Sequence, residues 1–207
     1  MATKSVKAEG KVRYRRAAIP GLAALAAAGS LVVLTAQGAL GVQFAISGMP
    51  FVVTATHLHG DGFEQFGGLD NTAPGSPNLK QLDGQEFVMV TAIKDATVTN
   101  LCQSVNLAGS FNLIIKAGGS GKPVHATNLV LDSDFLQGDE ADFNNIQIGG
   151  DASTFTEVPG ITGPLGIFGQ QADSVDINNV RQNNWASTAA TFTLPNLTMS
   201  FSNNGGC

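Results

Sequence analysis

From residue 42 to the C-terminus, no stretch places apolar residues at helical spacing, and turn-forming residues break the chain at short intervals. Gly, Asn, Thr, Val, Phe and Ile dominate, with few Lys or Glu, which is the composition of strands rather than helices. Candidate strands are Gln43–Ser47, Phe51–His57, Glu86–Ile93, Ala96–Gln103, Phe111–Ala117, Val124–Asp132, Asp142–Ile148, Val175–Gln182 and Ala190–Phe201. Breakers between them include Ala73-Pro74-Gly75-Ser76-Pro77, Leu82-Asp83-Gly84, Gly118-Gly119-Ser120-Gly121 and Val158-Pro159-Gly160. The pattern predicts a mainly β fold, a single antiparallel β-sandwich, barrel or curved β-sheet domain. Gly149–Gln171 is the longest stretch without a strand signal and is expected to be a loop.

A short phrase recurs inside these strands: an apolar residue, a spacer, Asn, then another apolar residue. It reads Val98-Thr99-Asn100-Leu101, Ala126-Thr127-Asn128-Leu129, Phe143-Asn144-Asn145-Ile146, Ile177-Asn178-Asn179-Val180 and Leu194-Pro195-Asn196-Leu197. The asparagines are separated by 28, 17, 34 and 17 residues, so a strict solenoid period fails. The two apolar residues have opposite parity and would face opposite sides of a regular strand. A left-handed residue at Asn, in a bulge or stacked turn, would return both to one core. The alternative is a row of Asn side chains contacting a sugar or lipid headgroup.

The N-terminal part is of another kind. Lys4, Lys7, Lys11, Arg13, Arg15 and Arg16 stand against Glu9 alone, giving a leader of +5 in a chain of net −5, so residues 42–207 carry −10. Ala17–Ala36 contains no charge and is about 20 residues long, enough to cross a bilayer core as a helix. Ala39-Leu40-Gly41 offers the small residues a signal peptidase selects, before Val42. Residues 1–41 therefore read as a signal peptide or a membrane anchor, with residues 42–207 exported. An acidic exported part argues against nucleic acid as a partner, because phosphate binding needs clustered cations. Cys102 and Cys207 would then lie where disulfides persist and are expected to bond to each other, against two free thiols or pairing with another chain.

The phrase Ala96-Thr97-Val98-Thr99-Asn100-Leu101-Cys102-Gln103-Ser104 resembles an uncharacterised actinobacterial family. So do Gly60-Asp61-Gly62-Phe63-Glu64-Gln65-Phe66-Gly67, Phe168-Gly169-Gln170-Gln171-Ala172-Asp173 and Trp185-Ala186-Ser187-Thr188-Ala189-Ala190-Thr191-Phe192. With the leader and Cys207, the resemblance spans essentially the whole chain. It implies a short exported or membrane-anchored envelope protein, encoded in many cases beside a small multi-spanning membrane protein that becomes a candidate partner. Some members carry the label cholesterol esterase. The resemblance transfers no catalytic or binding residue.

Ester hydrolysis needs an activated Ser, a His base and an oxyanion hole. The nearest approach to a nucleophile elbow, Gly118-Gly119-Ser120-Gly121-Lys122, has Lys in place of the final Gly, and His57, His59 and His125 lack a triad context. Gly121-Lys122 lacks the flanking residues of a phosphate-binding loop. No catalytic residue and no cofactor is assigned. His57 and His59 share a strand face near Asp61 and Glu64, a beginning for a zinc or copper site, although solvated polar residues are the expected reading. Asp132, Asp134 and Asp139 belong to an acidic stretch that could offer oxygen ligands to calcium, with a solvated acidic turn the expected reading. Phe63, Phe66, Phe168 and Trp185 are candidates for an exposed apolar mouth, alongside Phe135. The expected function is non-catalytic binding of lipid or a membrane partner at the cell envelope. The alternatives are self-assembly of identical subunits and lipid-ester hydrolysis.

Overall fold

The computed structural model describes residues 45–79, 84–107, 109 and 111–207. The leader, the apolar run Ala17–Ala36 and the cleavage site before Val42 lie outside the described residues. The strands are β1 (Ala45–Ile46), β2 (Phe51–Thr72), β3 (Gln85–Thr99), β4 (Leu101–Leu107), β5 (Phe111–Ala117), β6 (Val124–Gln137), β7 (Glu140–Asn144), β8 (Gln147–Asp151), β9 (Phe168–Thr188), β10 (Thr191–Thr193) and β11 (Thr198–Ser202). A single 3-10 turn, Ala152–Thr154, follows β8. Among the described residues no helix is long and apolar enough to cross a membrane.

All eleven strands belong to one sheet, ordered β11-β5-β4-β2-β3-β6-β9-β7, with β1, β8 and β10 attached to β2, β9 and β6. Every pairing is antiparallel except β1 with β2. The sheet also curls until β9 meets β2, pairing Ala55 with Val180 and Phe51 with Asn184, which closes the circuit β2-β3-β6-β9.

β2 shows how far the curl goes. A straight strand of its 22 residues would measure about 73 Å. Yet Ile46 is paired beside Thr72, and only five steps of chain, about 18 Å at full extension, separate Ile46 from Phe51 at the other end. The strand must therefore bend back on itself.

The recurring asparagines supply bends of this kind. Asn100, Asn128, Asn145, Asn179 and Asn196 all have φ between 46° and 56°, and of the other described non-glycine residues only Ser120 shares a positive φ. Val98 and Leu101, Ala126 and Leu129, and Ile177 and Val180 all reach the same core across their asparagine, as the parity argument predicted. At Asn145 and Asn196 the apolar residue two positions earlier, Phe143 or Leu194, packs on that core while Ile146 and Leu197 are exposed. The asparagines also divide what sequence reading took as single strands: Ala96–Gln103 becomes β3 and β4, Asp142–Ile148 becomes β7 and β8, and Ala190–Phe201 becomes β10 and β11. Neighbouring kinks line up. Gly62 (φ 68°), Lys94 and Asn128 lie at one level across β2, β3 and β6.

One core, including Leu58, Phe63, Ile93, Leu129, Val175 and Val180, fills the inside of the curl. A second, including Phe66, Val90, Val130, Phe155, Val158 and Trp185, lies on the opposite face of β3 and β6, where segment 152–163 covers it. The expected loop Gly149–Gln171 is shorter than anticipated, because β8 runs to Asp151 and β9 begins at Phe168. β2 and β9 extend well beyond Phe51–His57 and Val175–Gln182, through glycines and polar residues that carry no strand signal.

Candidate functional site

Among the described residues, none covers one side of the β9-β2-β4-β5-β11 region where it runs out along β5 and β11. Its registers align Val180, Ala55, Leu101 and Ala117 in one row, Gln182, Val53, Gln103, Ile115 and Met199 in the next, and Asn184, Phe51, Val105, Leu113 and Phe201 in a third. The first row belongs to the inner core. Along β5 and β11 the next two rows emerge from it, Ile115 and Leu113 half-buried, Met199 60% exposed and Phe201 72% exposed. Phe111, Phe192 and Leu197 are also exposed. An apolar face this continuous is uncommon on an isolated soluble domain.

Where the face enters the core there is a cavity of about 40 Å³, bordered by Phe51, Val53, Leu131, Gln182 and Asn184 among others, with no ionisable side chain in its lining. That is space for about one polar group or water, and too little for a hydrocarbon chain. Asn184 is fully buried, and neither atom of its amide has a hydrogen-bond partner among the described residues. Ser133, paired with Asn184 across β6 and β9, is buried with its Oγ equally unpartnered.

The opposite side of the same strands is polar and pinned by the C-terminus. Cys102 and Cys207 form a disulfide, the Cys207 N–H donates to Ser104 Oγ (3.0 Å), and Arg181 donates to the Cys207 carbonyl (3.1 Å). The tail thereby holds the peripheral strand β11 to β4, two strands away.

A second surface lies over the covered core. Gly67, Met89 and Ile167 are shared by two adjoining clefts of about 500 and 490 Å³, one reaching Phe87 and Ser133, the other Phe66, Phe168 and Gln170. Pro164 and Ile167 form part of its wall. Asp151 accepts hydrogen bonds from Ser153 and Gly166, which hold its carboxyl below the usual range. Buried Glu64 accepts the Val158 N–H at 2.7 Å. Burial pushes Glu64 up to about 7, against the lowering effect of its backbone hydrogen bonds. Glu157 O comes so close to Gly62 that a Cβ there would lie 2.6 Å from it, so this glycine serves both its positive φ and the docking of the segment.

The sequence candidates are dispersed. Phe168 is 65% exposed in the second cleft, and Phe66 is buried at its floor. Phe63 is buried in the inner core against Phe143, and Trp185 is buried with its indole N–H donating to Asp134 (2.9 Å), so neither forms an open mouth. Phe135 is exposed. His57, His59 and Asp61 are joined by Asp176 of β9, which sequence spacing did not bring in: His59 Nδ1 and His57 Nε2 lie 2.8 and 3.2 Å from its Oδ1. His59 Nε2 is 3.6 Å from Asp61. Among the described residues no three His, Cys, Asp or Glu side chains are disposed to hold a metal ion.

The acidic stretch is a correction. Asp139 does sit in an exposed bend between β6 and β7, but Asp132 and Asp134 lie on β6, which runs on to Gln137. Asp132 is fully buried beside Asp70, and burial, the charge of Asp70 and their mutual hydrogen bond push its carboxyl up to about 8. Asp134 accepts from Asn183 and Trp185, and Asp139 from Asn179. Ser120 occupies a turn between β5 and β6, and His125 is exposed on β6.

The geometry defines a class: a curled, single-sheet β domain with an apolar face left open beside its core. Residues 47–207 match the family of unknown function DUF6230, and the chain belongs to that family. No curated protein and no solved structure matches it.

Proposed function

We propose that this is a non-catalytic, exported cell-envelope protein that binds lipid, or the apolar surface of a membrane partner, on the open face of β2, β4, β5 and β11. The observation that carries the reading is the continuation of the inner-core rows to exposed Met199 and Phe201. Export is supported by the leader and by the Cys102–Cys207 disulfide, a bond typical of oxidising compartments. Phe168 and Phe87 at the second cleft offer a further apolar contact.

The test is native mass spectrometry, without reductant, of the full-length protein taken from its own envelope, beside a Met199→Lys/Phe201→Glu variant. Both side chains are exposed, so the variant is expected to fold. Lipid-sized adducts lost in the variant support the reading; adducts of equal abundance in both proteins, or none in either, sink it.

A second reading is self-assembly, favoured by the position of β11 at the end of the sheet, where an edge strand with apolar side chains is available for pairing. It predicts concentration-dependent oligomers without bound lipid.

A further inference from the structure

We infer that the open face takes an uncharged amphiphile whose single hydrogen-bonding head is received by Asn184, while its hydrocarbon lies outside the core along Phe51, Val105, Leu113 and Phe201; this rests on the lipid-binding reading above. Asn184 and Phe51 are cross-strand partners in one row, so the buried amide stands at the inner end of the apolar track. The 40 Å³ cavity sets the size of the head at about one hydroxyl or amide. Its chemistry follows from the lining. Asn184 offers both a donor and an acceptor, and Gln182 a further buried amide.

No Lys, Arg or His borders the cavity, so a carboxylate or phosphate would lose its hydration without gaining a counter-charge. A plain hydrocarbon would leave the amide unsatisfied. An alcohol, which both donates and accepts, meets the need.

The experiment measures binding of 1-hexadecanol, hexadecanoate and hexadecane to the full-length protein in one detergent, with Asn184→Leu for comparison. A new hydrogen bond to a buried, otherwise unsatisfied amide corresponds to about tenfold in affinity. The alcohol should bind about tenfold tighter than either competitor, and Asn184→Leu should abolish that preference. In the wild type, where folding of the variant plays no part, the Asn184 side-chain amide resonance should shift with hexadecanol and not with hexadecane.

Equal binding of all three compounds would overturn the head-group assignment and leave the lipid reading standing. So would an amide resonance unmoved by saturating alcohol, the result expected if Asn184 serves a structural water only. Failure of all three to bind would overturn both.

Discussion

The Glu64 carboxylate on β2 receives the backbone N–H of Val158 at 2.7 Å, and so ties the covering segment to the strand it covers. The same group is fully buried, with its second oxygen unpartnered among the described residues, so it folds most favourably as the neutral acid.

A pH dependence follows. The folded-state values of Glu64 and Asp132 are raised to about 7 and about 8, so between pH 4 and 8 the folded protein binds more protons than the unfolded chain. Stability contributed by these groups is full below their unfolded values and is lost as pH rises through 7 to 8, by a few kcal/mol. Urea midpoints should be higher at pH 5 than at pH 8. Asp132→Asn should flatten that slope and raise the pH 8 midpoint; a midpoint rising with pH in the wild type would contradict the assignment.

Replacement of the kink asparagines separates backbone from side chain. Asn128→Gly and Asn179→Gly keep the left-handed conformation and should change stability by less than about 1 kcal/mol. Asn128→Val and Asn179→Val should cost about 2 kcal/mol or more, since a β-branched residue is a poor occupant of that region. Equilibrium denaturation of the four variants checks this, and equal losses for Gly and Val would mean that the amide matters more than φ.

Gly62→Ala combines positive φ with a collision against Glu157 O. We expect a loss of about 2–4 kcal/mol, together with faster amide exchange across residues 155–163 as the segment lifts from its core. Unchanged exchange there would show that the segment docks independently of Gly62.

Cys102→Ser/Cys207→Ser opens a covalent loop with a sequence separation of 105 residues, worth about 2–5 kcal/mol. The loss should concentrate in β11, read as increased amide exchange at Thr198–Ser202 before other strands respond. Uniform protection in the reduced protein would place the hold on β11 elsewhere.

The β class, the disulfide and the bends at asparagine were legible because each leaves a local trace: composition, two cysteines in one acidic domain, and a parity break around Asn. The lengths of β2 and β9 were not. Gly60, Gly62, Gly67 and Gly68 look like loop residues, and only their position within a bent strand explains them. The open face was written in Phe111, Leu113 and Ile115 of β5 and in Met199 and Phe201 of β11, alternations that a half-buried strand also produces. Deciding that no described segment covers them required the strand order. Asp176 beside His57 and His59, and Asp70 beside Asp132, are pairings between strands distant in sequence, beyond any local pattern.

The closure of β9 onto β2 has a consequence for how the polypeptide is made. Phe51 waits for Asn184, and Cys102 for Cys207, so an emerging N-terminal half can pair β2 with β3 and β4 but cannot close the circuit. High contact order of this kind makes folding slow and leaves strand edges available to wrong partners in the meantime. A chain built this way benefits from being held extended until β9 and Cys207 have been synthesised, and only then released to fold in a single late event.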